Sequence, residues 1–331
     1  MVCRREYIAR IIGHRTAQHE LQAATVFAPS NIALCKYWGK RSIELNLPVT
    51  DSLSISLQDY GALTTLEVSD TEDALQLNDH NVIKNNIFYN QVFDFLNLFR
   101  NKEAPFFKIN TKLNIPASAG LASSACGFAA LTLALNRLFH WQLSAQELSL
   151  IARLGSGSAC RSLWHGFVHW HRGVLEDGLD SYATVLPYHY PQMRVGLIVC
   201  DTSPKKYSSR QAMIQTVRYS RLYKTWPLCV EEDLKLMFES LEEGNLTALF
   251  ALAERNCKAM HATLMDLPDS ISYSTIETYQ IIQHIRSLRD QGLPVYYTQD
   301  AGPNIKLLFE ADYEDVLKKE FKEMIIVKPF V

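Results

Sequence analysis

From Leu121 to Phe139 the chain is small and apolar on nearly every side, which fits only a buried helix packed closely against a sheet. It is entered through Pro116-Ala-Ser-Ala-Gly120-Leu-Ala-Ser123-Ser124-Ala-Cys-Gly127, a run without charge or bulk. Residues this small let backbone N–H groups approach an anion, and the start of a helix adds partial positive charge. The hydroxyls of Ser123 and Ser124 suit phosphate oxygens or a metal-bound water. No lysine follows the glycine, so the segment is not the common nucleotide loop G-x-x-x-x-G-K-[ST]. Tight helix–sheet packing alone would call for the same composition.

At 331 residues the chain exceeds one ordinary core and suits two domains, or one domain with a large lobe. Lys and Arg number 33 against 35 Asp and Glu, a net charge of −2, so no global basic field draws in nucleic acid or an acidic membrane surface. An anionic ligand must therefore be held by a local cluster. The seven cysteines are spread singly, without a C-x-x-C pair or His groups at zinc spacing, and read as small core residues of a reducing compartment. No apolar stretch approaches the ~20 residues that span a bilayer. The opening residues lack an apolar signal core, and the expected location is the cytoplasm.

Period-two alternation predicts strands at 25–28, 52–57, 63–68 and 106–113, then at 166–171, 181–186 and 194–200. Helical spacing predicts helices over 82–100 and over 144–153, where Ser144 and Glu147 form a capping box. Pro187-Tyr-His-Tyr-Pro191 reads as a linker, which divides the chain into an extension (1–22), an N-terminal domain (23–190) and a C-terminal domain (191–331). The second half alternates less strictly, with helices over 207–222, 230–242, 245–263, 273–291 and 313–323 and strands near 294–299 and 304–309. Runs of strands and helices without regular βα alternation predict an α+β fold.

Three further segments carry chemistry. Lys36-Tyr37-Trp38-Gly39-Lys40-Arg41 gathers three cations and two aromatics, and a helical turn there would place Lys36 and Lys40 on one face. Ammonium groups suit phosphate, although an isolated basic cluster is usually a solvated turn. Gly155-Ser156-Gly157-Ser158-Ala159-Cys160-Arg161 is a second anion cradle whose guanidinium can clamp a carboxylate or phosphate; a flexible connection with a surface arginine is the bland reading. Asp300 ends an apparent strand before Ala301-Gly302-Pro303, where a carboxylate is held rigidly as a base toward a hydroxyl or merely closes an Asx turn on its own backbone.

In this order and at these separations, the four segments resemble the diphosphomevalonate decarboxylases of the GHMP kinase superfamily, from about Ala23 to the C-terminus. The resemblance implies an N-terminal lobe like ribosomal protein S5 domain 2, a ferredoxin-like C-terminal lobe, ATP, Mg²⁺ and frequently a homodimer. It implies phosphorylation of the 3-hydroxyl of mevalonate 5-diphosphate, then loss of phosphate and carbon dioxide to give isopentenyl diphosphate. Asp300 then matches the catalytic aspartate and Lys36 the lysine beside it, with Arg161 and Ser158 clamping the substrate carboxylate. Tyr37, Trp38, Gly39 and Lys40, together with Ser156, Gly157, Ala159, Cys160, Ser209 and Arg210, match substrate-binding positions. Pro116, Ala117, Ser118, Ala119, Gly120, Ala122, Ser123 and Ser124 match the ATP-phosphate loop, with Ser124 an indirect metal contact. Arg210 stands where a threonine is common and the usual arginine near the first long helix is not evident, so Arg210 or Lys84 is the candidate for charge at the 5-phosphate end. Competing readings are a decarboxylase of mevalonate 5-phosphate, a kinase without the decarboxylation step, and a noncatalytic sensor on the same fold.

Overall fold

In the computed structural model the described residues are 3–15, 23–100, 105–115, 123–203 and 206–330. Most of the small-residue loop, 116–122, lies outside them, as do 16–22 and Lys205.

Among the described residues two sheets organise the chain. The larger, seven-stranded sheet is centred on Ser52–Ser69, which pairs antiparallel with Ala23–Cys35, Phe106–Leu113 and Phe167–Trp170. Ala74–Leu77 adds to Phe106–Leu113 in parallel, and Ala183–Val185 closes the other edge. The apolar helix Ser123–Leu138 lies on this sheet with Ala129, Ala130, Ala134 and Leu135 fully buried, the close approach its small residues predict. The smaller sheet is antiparallel, in the order Tyr296–Gln299, Ile305–Glu310, Met193–Ile198, Ile325–Val327, and is packed by Leu246–Met265 and Ile276–Asp290. The chain crosses from one sheet to the other between Val185 and Met193. The result is a mixed, two-lobe α+β molecule.

Three local differences from the sequence reading have clear causes. The stretches 52–57 and 63–68 are one strand, because Ala23–Cys35 runs beside it throughout and the intervening residues are absorbed as a bulge at Gln58, whose φ is +50°. Gly61 permits this approach: a Cβ there would lie 2.1 Å from the Ala28 carbonyl oxygen. The helix predicted over 82–100 is confined to Ile87–Leu96, since Asn85 takes φ +80° and the Asn86 side chain caps the Phe88 N–H at 2.8 Å. Lys36 and Lys40 do not share a helical face, because Gly39 turns the chain at φ +105° and Lys40 opens the short strand Lys40–Ser42. By contrast, the box on helix Ala145–Gly155 is as read, with Glu147 Oε2 accepting from Ser144 N at 2.8 Å and Ser144 Oγ from Glu147 N at 3.2 Å.

Candidate active site

The long strand Ala23–Cys35 ends at the site and presents Lys36, which is 2% exposed. Its Nζ donates to the Ala33 carbonyl and to Asp300 Oδ1, both at 2.8 Å. Asp300 follows the strand Tyr296–Gln299, and its other carboxylate oxygen lies 3.3 Å from Lys306 Nζ. Lys306, 1% exposed, projects from the neighbouring strand and also donates to the Asn304 carbonyl at 3.4 Å. Burial pushes the Asp300 carboxyl upward in pKa, but Lys36 and then Lys306 outweigh it and hold it well below the carboxylate range. Its side chain keeps 31% exposure, against 2% for Lys36 and 1% for Lys306, so the carboxylate is the part of this cluster open to solvent. The Asx-turn reading is set aside, since its oxygens serve lysines of two other segments. Two buried ammonium groups share one carboxylate, which leaves an excess of positive charge for an anion to offset.

Lys36 is positioned from behind. Its backbone N–H donates to Asn256 Oδ1 at 2.8 Å, and Asn256 Nδ2 donates to Asp233 Oδ2 at 2.8 Å. Asp233, 2% exposed, is ion-paired with Arg255. His261 packs nearby, and burial with the Lys36 charge pushes its imidazole down to about 4, so it is neutral near pH 7 and no rival acid–base group.

The second cradle is a 3₁₀ turn, Gly157–Arg161, following helix Ala145–Gly155. Arg161 is 3% exposed and donates through Nη1 to Ser52 Oγ at 2.7 Å, with the Trp170 ring 5.7 Å away. No carboxylate pairs with it among the described residues, and its Nε is buried without a partner. Asn31 fixes the turn, donating to Ser162 Oγ at 2.6 Å and to the Ser158 carbonyl at 3.4 Å. Tyr37 lies over Gly157, where a Cβ would come 2.7 Å from its hydroxyl, and that hydroxyl is also buried and unpartnered. Ser124 Oγ reaches Ser156 Oγ at 3.5 Å, so the small-residue helix start and this cradle meet.

Other predicted site residues sit differently. Trp38 is 3% exposed and serves packing, its carbonyl accepting from Tyr223 Oη and Trp226 Nε1 at 3.1 Å each. Ala159 and Cys160 are fully buried under the turn, and burial pushes the Cys160 thiol up to about 12. Lys40 Nζ donates to Asn46 Oδ1 at 2.5 Å, and Arg210, beside the exposed Ser209 at the start of helix Ser209–Tyr219, lies within electrostatic reach of it. Lys84 is held in an exposed pair with Glu72 at 2.7 Å. Ser123 and Ser124 border an apolar cavity of about 290 Å³ lined by Leu75, Val82, Phe88, Val92 and Ile109. Pro116, Ala117, Ser118, Ala119, Gly120 and Ala122 lie outside the described residues. Sequence reading missed Lys306 and Asn256; a lone lysine inside the apolar run Ile305-Lys306-Leu-Leu-Phe was a usable signal, while Asn256 on a long helix offered none.

Profiles described as the diphosphomevalonate decarboxylase-like N-terminal domain and the mevalonate 5-diphosphate decarboxylase C-terminal domain match residues 28–183 and 195–328. The chain belongs to the diphosphomevalonate decarboxylase family. Among its relatives, diphosphomevalonate decarboxylase ERG19 of Gibberella zeae is 36% identical over 326 residues, covering 91% of this chain and 85% of that one. The Saccharomyces cerevisiae family member is 36% identical over 314 residues, covering 89% and 79%. Of the solved structures, mevalonate diphosphate decarboxylase from Staphylococcus aureus superposes with a TM-score of 0.86 at 31% identity, covering 93% and 95%. MDDEF in complex with MVAPP, AMPPCP and magnesium superposes with 0.85 at 33%, covering 93% and 96%. The two-lobe α+β arrangement is thus the family's own. Among the described residues no helix is long and apolar enough to cross a membrane.

Proposed function

We infer that this chain catalyses the ATP-dependent decarboxylation of mevalonate 5-diphosphate to isopentenyl diphosphate, ADP, phosphate and carbon dioxide. The observation that carries the reading is Asp300 held between Lys36 and Lys306, with the unpaired guanidinium of Arg161 in electrostatic reach. Asp300 aligns the 3-hydroxyl and accepts its proton as that oxygen bonds to the γ-phosphorus. A carboxylate of lowered basicity serves here, because the transition state is loose and positioning with charge stabilisation carries most of the rate. Lys36 and Lys306 stabilise the charge gathering on the oxygen being phosphorylated. Arg161 and Ser158 hold the substrate carboxylate. When the C3–O bond breaks toward phosphate, the C1–C2 electron pair becomes the new double bond and carbon dioxide departs.

A related protein was captured with AMPPCP and magnesium, and the residues here fit such a nucleotide. The apolar cavity suits a purine, Ser123 and Ser124 at its border suit phosphate oxygens, and Ser124 is the candidate for an indirect contact to Mg²⁺. When bound, MgATP supplies the phosphoryl group and a counter-charge to its oxygens. The reading also places the chain in a reducing cytoplasm, in keeping with free thiols at all seven cysteines, and as a homodimer, which light scattering of the purified protein would test.

The deciding experiment measures ADP, phosphate and carbon dioxide released together from mevalonate 5-diphosphate and from mevalonate 5-phosphate. Equal release of all three with the diphosphate preferred is expected, and Asp300→Asn should lower kcat by about 10²–10⁴-fold. ADP without carbon dioxide would reduce the chain to a kinase. No turnover would favour a sensor, and a monophosphate preference in kcat/KM would reassign the substrate.

A further inference from the structure

The helix Arg4–Ile12 precedes the residues matched by the family profile and is built into the body of the molecule. Tyr7, Ile8 and Ile11 are buried on its inner face. Tyr7 Oη accepts from Arg153 Nη2 at 2.7 Å and donates to the Gly178 carbonyl at 3.3 Å. Just beyond the helix, Arg15 forks onto Glu147 at 2.9 and 3.2 Å, and Arg10 pairs with Asp177 at 3.1 Å. A helix fixed at this many points sets the position of its first residue closely.

That first residue reaches the substrate cradle. Arg4 Nη2 donates at 2.6 Å to the carbonyl of Leu154, just ahead of Gly155 and Ser156. Asn46 Nδ2 donates to the same carbonyl at 3.2 Å, while Asn46 Oδ1 accepts from Lys40 Nζ. Arg4 and Lys40 are thus bridged through one asparagine and one carbonyl. The Arg4 Nε is buried without a partner. Arg210 lies within electrostatic reach of both. Among the described residues none of these three cations forms an ion pair with a carboxylate; Glu44 and Asp94 act on Arg4 only at longer range.

We propose that Arg4 is a substrate-contacting residue, delivered by the N-terminal helix to hold, with Lys40 and Arg210, the terminal phosphate of a diphosphate-bearing substrate. This rests on the reading of the site as one for mevalonate 5-diphosphate. Three like charges gathered beside a substrate loop repel one another until an anion offsets them. Burial first, then the charges of Arg210 and Arg4, push the Lys40 ammonium down to about 8. A diphosphate terminus brings the charge and acceptor oxygens such a cluster lacks, whereas a monophosphate ends one phosphate short. Arg4 is therefore a determinant of diphosphate over monophosphate preference.

The test uses the full chain with Arg4→Gln, Arg4→Lys and, as a control on the same helix, the exposed Arg5→Gln. Steady-state kinetics are measured with mevalonate 5-diphosphate, and calorimetry measures binding of inorganic pyrophosphate alone. For Arg4→Gln the expected result is a KM raised by about 10–100-fold, the loss of a charge-assisted hydrogen bond, with kcat within about threefold of wild type. Pyrophosphate affinity should fall by a similar factor, Arg4→Lys should restore part of it, and Arg5→Gln should change neither. Unchanged pyrophosphate affinity in Arg4→Gln overturns the proposal, as does a loss confined to kcat and thermal midpoint, which would mark a purely structural tie to Leu154. Pyrophosphate binding that depends on Arg4, in a protein inactive toward mevalonate 5-diphosphate, would sustain the anion site and overturn the substrate assignment instead.

Discussion

Replacing Lys306 by methionine separates the electrostatic design of the site from its packing. The side chains are similar in length, and Lys306 is 1% exposed, so the change removes a charge with little change of volume. At 3.3 Å from Asp300 Oδ2 the lost attraction is roughly 5 kcal/mol for an effective dielectric of about 20. In the stability of the fold several kcal/mol return because an ammonium no longer has to be buried, but nothing offsets the lost attraction in the protonation of Asp300. The Asp300 pKa therefore rises toward the ordinary carboxylate range. The sign follows from a carboxyl whose folded pKa is depressed: the ionised, active form and its stabilising contribution persist above the ordinary carboxylate range and are lost as pH falls through the folded value. In wild type the acid limb of kcat therefore lies below the usual carboxylate range, and in Lys306→Met it should move upward toward that range. At pH 7, loss of one group that stabilises developing charge should lower kcat by about 10²-fold. The thermal midpoint should hold or rise, because a surplus buried cation is gone and one Lys36–Asp300 pair remains. The matter is decided by kcat at pH 7, a pH–rate profile carried as far into acid as the fold survives, and a melting curve. Wild-type kcat with an unmoved acid limb, or a collapse of the fold without a kinetic signature, would refute the shared-carboxylate account.

Lys40 gives a second pH signature: kcat/KM for the diphosphate should fall as pH rises through about 8, where the free ammonium loses its proton, and Lys40→Arg should remove that limb. Gly127→Leu should raise KM for ATP while leaving or improving the thermal midpoint. Gly127 lines the apolar cavity, a Cβ there meets nothing within 4 Å, and replacing a helical glycine contributes about 0.5–1 kcal/mol. Asn256→Ala should destabilise the protein by about 2–4 kcal/mol in urea unfolding and lower kcat more than it raises KM, because it strips partners from buried Asp233 and from the Lys36 backbone. Gly61→Ala should cost about 1–3 kcal/mol in the same assay, from the clash with the Ala28 carbonyl.

What the sequence made legible were features whose cause is local. The apolar helix Ser123–Leu138, the box at Ser144 and Glu147, and Asp300 at a strand end each follow from a few adjacent residues, and each stands where it was read. Lys36 and Lys40 had a motif but no geometry, because Gly39 decides their separation through a backbone angle that side-chain periodicity does not report. Ser52–Ser69 was read as two strands because a bulge at Gln58 breaks the period of two, and only its partner strand keeps the halves collinear.

Partnership across long separations was invisible for a different reason. Asn256 lies 220 positions from Lys36, and Arg4 lies 150 from Leu154, so no spacing rule links either pair. The Arg4 case shows why charge is the better guide to what remains. Hydrogen-bonded pairs such as Asn256 and Asp233 satisfy each other and point nowhere, whereas Arg161, Arg4 and Lys40 keep uncompensated charge after folding. A chain that buries cations without matching carboxylates gives up folding stability that an anionic ligand must restore. Saturating pyrophosphate should accordingly raise the thermal midpoint, by about 2.7 kcal/mol of added stability at a hundredfold excess over Kd. The same addition should leave Arg4→Gln less responsive than wild type. Equal stabilisation of both proteins by pyrophosphate would mean that the unpaired cations beside Leu154 are not an anion site.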